Sequence, residues 1–127
     1  MKRKIYTGEG VSASGPYSHA VDAGDYVFFS GQTAMNSLGK ENNLLKGKIE
    51  LQTKEVFSNL ASVMKAAAID KSQVLKVNVY LTSMEHFEAM NGIYQEFFES
   101  PYPARTCVAV KELPLGADIE IEVIAKK

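Results

Sequence analysis

The chain has a single cysteine, Cys107, in 127 residues. An internal disulfide is therefore excluded, and a reducing compartment suits it. Neither charge is in surplus: 14 Lys and Arg stand against 15 Asp and Glu, a formal net charge of −1. Nothing in that balance argues for nucleic acid or for an anionic membrane. No apolar run approaches the roughly 20 residues of a membrane span. The basic start, Met1-Lys2-Arg3-Lys4-Ile5-Tyr6, is not followed by a long apolar stretch, so it is not a signal peptide. A cytoplasmic protein is the expectation. His19 and His86 have no Cys or His at ligand spacing, so no metal site is expected. Gly8-Glu9-Gly10 lacks the strand and helix context of a nucleotide loop. There is no repeat, low-complexity segment or linker, and the length favours one domain over 1–127.

Hydrophobic periodicity sets out the elements. Lys2 to Tyr6 is a short edge strand, and Gly8 to Gly15 is loop. Gly15-Pro16-Tyr17-Ser18 fixes a bend. Ser18 to Ala23 and Tyr26 to Ser30 are strands that can turn at Gly24-Asp25, the second apolar on both faces. Gly31 to Gly47 reads as an irregular crossover with a turn at Leu38-Gly39-Lys40, and its length hints at function or interface. Glu50 to Ala68 is the clearest helix: Val56, Phe57, Leu60, Val63, Met64 and Ala67 form one stripe. Asp70 to Gln73 is a connector, and Val74 to Leu81 alternates as a strand. Thr82-Ser83-Met84-Glu85 fits a capping box at the start of a second helix. Phe87, Met90, Asn91, Tyr94, Phe97 and Phe98 share a face of that helix, and Pro101 and Pro103 stop it.

Two strands close the chain. In the last, Ile119, Ile121, Val123 and Ala125 alternate with Asp118, Glu120 and Glu122. In the one before it, Arg105, Cys107 and Ala109 share one face, and Thr106, Val108 and Val110 the other. If these strands pair antiparallel with their apolar faces on one core, Arg105, Cys107, Glu120 and Glu122 gather on the opposite face. That would set an anion receptor beside a potential general base. The order βββ-α-β-α-ββ predicts an α+β fold, a mixed sheet of about six strands with both helices packed on one face. The other face would then carry charged and apolar side chains together, which burial against further copies of the chain resolves. A small carboxylate ligand would pair with Arg105.

Six fragments in order carry a resemblance that runs nearly end to end. They are Gly15-Pro16-Tyr17-Ser18, Ser30-Gly31-Gln32, Asn91 with Tyr94 and Phe97-Phe98, Pro103-Ala104-Arg105-Thr106-Cys107-Val108, Leu113-Pro114, and Ile119-Glu120-Ile121-Glu122. The sequence resembles the Rid (YjgF-type) family of reactive-intermediate imine/enamine deaminases. The resemblance implies a chorismate-mutase-like fold and a homotrimer with clefts between subunits. It implies hydrolysis of 2-imino acids, such as 2-iminobutanoate and 2-iminopropanoate, to 2-oxo acids and ammonia, with no cofactor and no metal. Carried over residue by residue, it makes Arg105 the grip on the substrate carboxylate and Glu120 the group that orients or activates water. Tyr17 would close the cleft, Ser30 and Gly31 would line it, Asn91 would support it, and Cys107 would lie beside the substrate carbon.

The chain also departs from that pattern. His19 and Ala20 stand where many members carry Gln and Gly, and Gln32-Thr33-Ala34-Met35 replaces the commoner Gln-Ile-Pro. The segment between Phe98 and Pro103 is short, and Leu115-Gly116-Ala117-Asp118 differs from the usual lysine-containing turn. These positions flank the expected cleft and bear on substrate preference. A second hypothesis is a regulatory or chaperone-like protein of the same fold that holds a 2-oxo or amino acid without turnover. Arg105 serves both hypotheses. Glu120 separates them, because binding alone needs no base.

Overall fold

The structure is a computed structural model that describes residues 2–35 and 45–127. Six strands and two helices follow in the order β1 (Lys4–Tyr6), β2 (Ala20–Asp22), β3 (Tyr26–Gln32), α1 (Ile49–Ala66), β4 (Val74–Leu81), α2 (Phe87–Phe97), β5 (Ala104–Ala109) and β6 (Ile119–Lys126). They form one mixed sheet in the order β1-β2-β3-β6-β4-β5. Only β4 and β5 are parallel; the other neighbours are antiparallel. A parallel neighbour cannot be reached by a hairpin, and α2 supplies the crossover.

Both helices cover the same face. Val56, Leu60 and Val63 of α1 are fully buried on Val27, Val77, Val79, Ile119 and Ile121 of the sheet. Phe57 stacks on Phe97 of α2 with ring centroids 4.2 Å apart. Each such side chain contributes about 1.5–3 kcal/mol by leaving water. Truncating Leu60 to alanine would cost about 2–5 kcal/mol, because the packed surroundings cannot close the void. The uncovered face exposes Tyr26, Phe28 and Val108, which are 43%, 48% and 42% accessible.

The closing strands are not neighbours, contrary to the pairing considered from sequence. β4 lies between them, with Val77 opposite both Arg105 and Val123, and Val79 opposite both Cys107 and Ile121. Residues directly opposite in a ladder point to the same side of the sheet. Arg105 and Cys107 therefore lie on the helix face, whereas Glu120 and Glu122 leave the open face beside Tyr80 and Asn78. The alternation within β5 is as expected, but its sides are exchanged. The edge strand turns exposed Val108 to the open face and sets half-buried Cys107 against the core.

Local differences have local causes. The second helix begins with a short 3-10 turn, Met84–His86, capped by Ser83, whose Oγ accepts from the Glu85 N–H at 3.1 Å. Thr82, expected to be the cap, instead turns its hydroxyl to Asp118. The connector carries the capping box: Asp70 accepts from the Ser72 N–H, and the Asp70 N–H donates to Gln73 Oε1 at 2.7 Å. Gly31 and Gln32 belong to β3, and the turn expected at Leu38-Gly39-Lys40 lies outside the described residues.

Candidate active site

The predicted site residues fall into two groups, one on each face of the sheet. On the open face, Tyr17, Ser30, Gly31 and Glu120 line a cavity of about 290 Å³, together with Glu122, Thr33, Met35 and Pro114. β3 shifts register between Phe29 and Gln32, which brings Gly31 under the Glu120 side chain of β6. A Cβ at position 31 would stand 2.9 Å from Glu120 Cδ, so glycine is what lets the carboxylate lie there. Ser30 fastens the neighbouring loop, its Oγ donating to the Ser18 carbonyl at 2.6 Å and its N–H to the His19 carbonyl at 2.9 Å. Tyr17 is 39% exposed at the cavity mouth, and its Oη accepts from the Ser14 N–H at 3.4 Å. His19 does not reach the cavity. It is buried, and its Nδ1 accepts from the Gly8 N–H at 3.0 Å.

The electrostatics of this floor separate its two carboxylates. Burial pushes the Glu120 carboxyl above its ordinary range, and the neighbouring Glu122 charge pushes it the same way. Glu122 Oε1 accepts from Tyr80 Oη at 2.6 Å and from Asn78 Nδ2 at 3.1 Å. The hydrogen bond to Glu122, with burial adding to it, pushes the Tyr80 hydroxyl up to about 12.

The second group sits at the α2–β5 edge of the helix face. Arg105 Nη1 donates to Asn91 Oδ1 at 2.6 Å. Its guanidinium lies over the rings of Tyr94 and Phe87, 4.7 and 5.5 Å from their centroids. Two aromatic faces and an amide oxygen thus orient the fork. A cavity of about 470 Å³ opens there between Asn91, Tyr94, Tyr102 and Arg105. Burial pushes the Tyr94 hydroxyl up to about 12, with Arg105 opposing it, and that buried hydroxyl has no partner among the described residues. Burial likewise raises the Cys107 thiol, which Arg105 offsets only in part. A neutral thiol is a poor nucleophile, so Cys107 is better suited to lining than to attack.

Strand alternation places Asp118 with Glu120 and Glu122 on the polar face of the last strand. It is instead buried just ahead of β6. Its carboxylate accepts from the Gly47 N–H at 2.9 Å, Gln52 Nε2 at 2.7 Å and Lys46 Nζ at 3.0 Å. Burial alone would raise its pKa, but these donors more than offset that and hold it at about 2. Tyr80 and Asn78, which hold Glu122, are not marked for that role by the sequence, where strand alternation shows them only as polar positions. Only the register with β6 shows what they touch. Among the described residues, no group of three or more His, Cys, Asp or Glu could hold a metal ion, and no helix is long and apolar enough to cross a membrane.

A six-stranded mixed sheet, covered on one face by two helices and carrying a small carboxylate-floored cavity on the other, defines an α+β protein. A family model described as Endoribonuclease L-PSP matches residues 7–127. The chain is 41% identical over 123 residues to a 2-iminobutanoate/2-iminopropanoate deaminase of Dermatophagoides farinae, covering 97% of this chain and 94% of that one. The solved structure of yeast YEO7 superposes with a TM-score of 0.91 at 34% identity, covering 99% of each chain. Escherichia coli TdcF, solved with bound serine, superposes at 0.87 with 31% identity over 98% of each chain. The chain belongs to the Endoribonuclease L-PSP family, the YjgF/Rid proteins.

Proposed function

We propose that the protein is a 2-iminobutanoate/2-iminopropanoate deaminase that hydrolyses reactive imines and enamines from pyridoxal-phosphate enzymes to 2-oxo acids and ammonia. The observation that carries this is Glu120: a half-buried carboxylate with raised proton affinity, laid over a glycine at the floor of a small cavity. A carboxylate with raised proton affinity is better suited to take the proton of water attacking an imine.

Arg105 and Glu120 leave opposite faces of one sheet, so we infer that a working site is completed across a subunit boundary. The exposed Tyr26, Phe28 and Val108 on the open face support such burial, and a homotrimer with three clefts fits it. In that cleft one chain's Arg105 takes the substrate carboxylate in a bidentate fork. The other chain's Glu120 holds water against the protonated imine carbon, with Tyr17 over the mouth. As the water oxygen bonds to carbon, the C=N π pair moves to nitrogen and Glu120 takes the water proton. Glu120 then returns that proton to the amine nitrogen of the carbinolamine. The C–N bond then breaks as Glu120 takes the hydroxyl proton and the oxygen closes to a carbonyl, and that proton passes to the departing ammonia, releasing the oxo acid and ammonium. Placement and neutralisation of the carboxylate supply most of the rate, since the protonated imine is already electrophilic.

A binding protein is the second reading, favoured by the serine held in the TdcF relative. The ribonuclease in the family description fits this cavity poorly. Two carboxylates at the floor and a net charge of −1 oppose a polyanion.

The test generates 2-iminobutanoate in situ from threonine with a dehydratase and follows 2-oxobutanoate release. Acceleration by the wild type that is lost in Arg105→Ala and Glu120→Gln is the expected result. Glu120→Gln that keeps both turnover and ligand binding would sink the assigned mechanism, and a sedimentation mass equal to the monomer would sink the shared cleft. Cytosolic action over one domain completes the proposal, and subcellular fractionation tests the compartment.

A further inference from the structure

The chemistry above gives no role to the second carboxylate in the cavity. Glu122 follows Glu120 by two residues on β6, so the two side chains leave the same face roughly 7 Å apart along the strand. Both line the same cavity. Glu122 is not free to swing. Tyr80 Oη and Asn78 Nδ2 both donate to its Oε1, at 2.6 and 3.1 Å. The two donors stand on β4, the neighbouring strand, with Tyr80 opposite Glu120 and Asn78 opposite Glu122. Rigid sheet, not loop, therefore sets the position of this charge.

Few other ionisable groups face Glu120. β3 brings Ser30 and Gly31, which carry no charge, and the loop before β2 brings Tyr17. β4 brings Tyr80, whose hydroxyl is already committed to Glu122. Lys76, further along β4, donates to Thr106 Oγ1 of β5 at 2.7 Å. In the assembled cleft the neighbouring chain adds Arg105. Among the described residues of its own chain, Glu122 is the charge that bears on Glu120.

We propose that Glu122, clamped by Tyr80 and Asn78, is a positioning residue that acts through Glu120, a fixed neighbouring carboxylate that sets the electrostatic surroundings in which Glu120 exchanges its proton. The inference rests on the deaminase reading. Two carboxylates sharing a site cannot both ionise easily, so a held charge on one keeps the proton on the other to higher pH. Burial of Glu120 acts in the same direction. A carboxylate that was only solvated would be too weak a base for water attack at neutrality. The clamp has a second effect: Glu122 cannot rotate away and relax the repulsion.

The test uses the full-length protein and the variants Glu122→Gln, Tyr80→Phe and both together. Two readouts are taken. One is the acid limb of the pH profile of kcat/KM for imine hydrolysis. The other is the carboxyl titration of Glu120 by carbon NMR, its resonance assigned by its loss in Glu120→Gln. In Glu122→Gln both midpoints should fall together by about 1 pH unit. Tyr80→Phe should move them the same way by less, and the double variant should match Glu122→Gln. An unmoved Glu120 midpoint in Glu122→Gln, with wild-type turnover intact, overturns the role of Glu122 and leaves the deaminase standing. A double variant that falls well beyond Glu122→Gln overturns the claim that Tyr80 acts through Glu122. Absent wild-type turnover, with the midpoint still shifting, overturns the deaminase reading and the catalytic use of the pair together.

Discussion

Replacing Gly31 with alanine asks whether Glu120 stands where the chemistry needs it. The added methyl would lie 2.9 Å from Glu120 Cδ and 3.0 Å from Cγ, and closer still to Oε1. Carbon atoms in contact prefer about 3.5–4.0 Å, so the carboxylate must retreat by about 1 Å. Displacing a positioned catalytic group by about 1 Å costs about 100-fold in rate, or about 2.7 kcal/mol of transition-state stabilisation. The backbone should tolerate the change. Gly31 is not among the glycines with positive φ, and the three atoms nearest the new methyl all belong to one flexible side chain. Global stability should therefore stay within about 1 kcal/mol, since reduced freedom in the unfolded chain offsets the shift of Glu120. The dehydratase-coupled assay gives kcat/KM, and urea unfolding gives stability. Gly92→Ala is the control. Nothing lies within 4 Å of a Cβ there, and the position is inside α2. It should add about 0.5–1 kcal/mol of stability and leave turnover alone. A folded Gly31→Ala protein with wild-type kcat/KM would refute the placement of Glu120 at the reacting atoms.

Other substitutions test other parts. Asp118→Asn should destabilise the protein by about 1–2 kcal/mol at pH 7, because the folded pKa is held at about 2 against an ordinary 3.8. The sign follows from that depression: the contribution is present above about pH 4 and is lost as pH falls through about 2. Urea midpoints measured from pH 5 to pH 2 should fall in the wild type and flatten in the variant. Ala68 takes φ +56° just after α1, a conformation that a Cβ disfavours. Ala68→Gly should therefore raise stability by about 1 kcal/mol in thermal unfolding. Arg105→Lys keeps the charge but loses the planar fork and its hold on Asn91, Tyr94 and Phe87. A rise in KM of about tenfold or more is expected, and an unchanged KM would remove Arg105 from substrate binding.

Much of the fold is written in local periodicity. The stripe from Val56 to Ala67 marks α1, and the alternation of Val77, Val79 and Leu81 marks β4. Strand neighbours are another matter. Nothing in residues 104–126 says that β4 will stand between β5 and β6, because that order depends on the α2 crossover and on which face of the edge strand the helix covers. The candidate residues were therefore legible as a set but not as an arrangement. Arg105 and Glu120 both stand out in the sequence as candidates, yet the sheet itself separates them. Asp118 misled for a similar reason. It continues the alternation of β6 on paper, but it stands one residue before the strand, where Gly47, Gln52 and Lys46 claim it. Tyr80 carries no local sign of its bond to Glu122, since that contact spans 42 positions.

If the working site is completed across a subunit boundary, as proposed, the placement of Arg105 and Glu120 on opposite faces has a genetic consequence. Two inactive chains, one altered at Arg105 and one at Glu120, would complement when co-assembled. Each chain still offers the half its neighbour lacks, so random mixing in a ring would restore about a quarter of the sites. A site contained within one chain would recover nothing. A chain altered at both positions would spoil the clefts on each of its two sides, so that a defective allele would silence good subunits beside it.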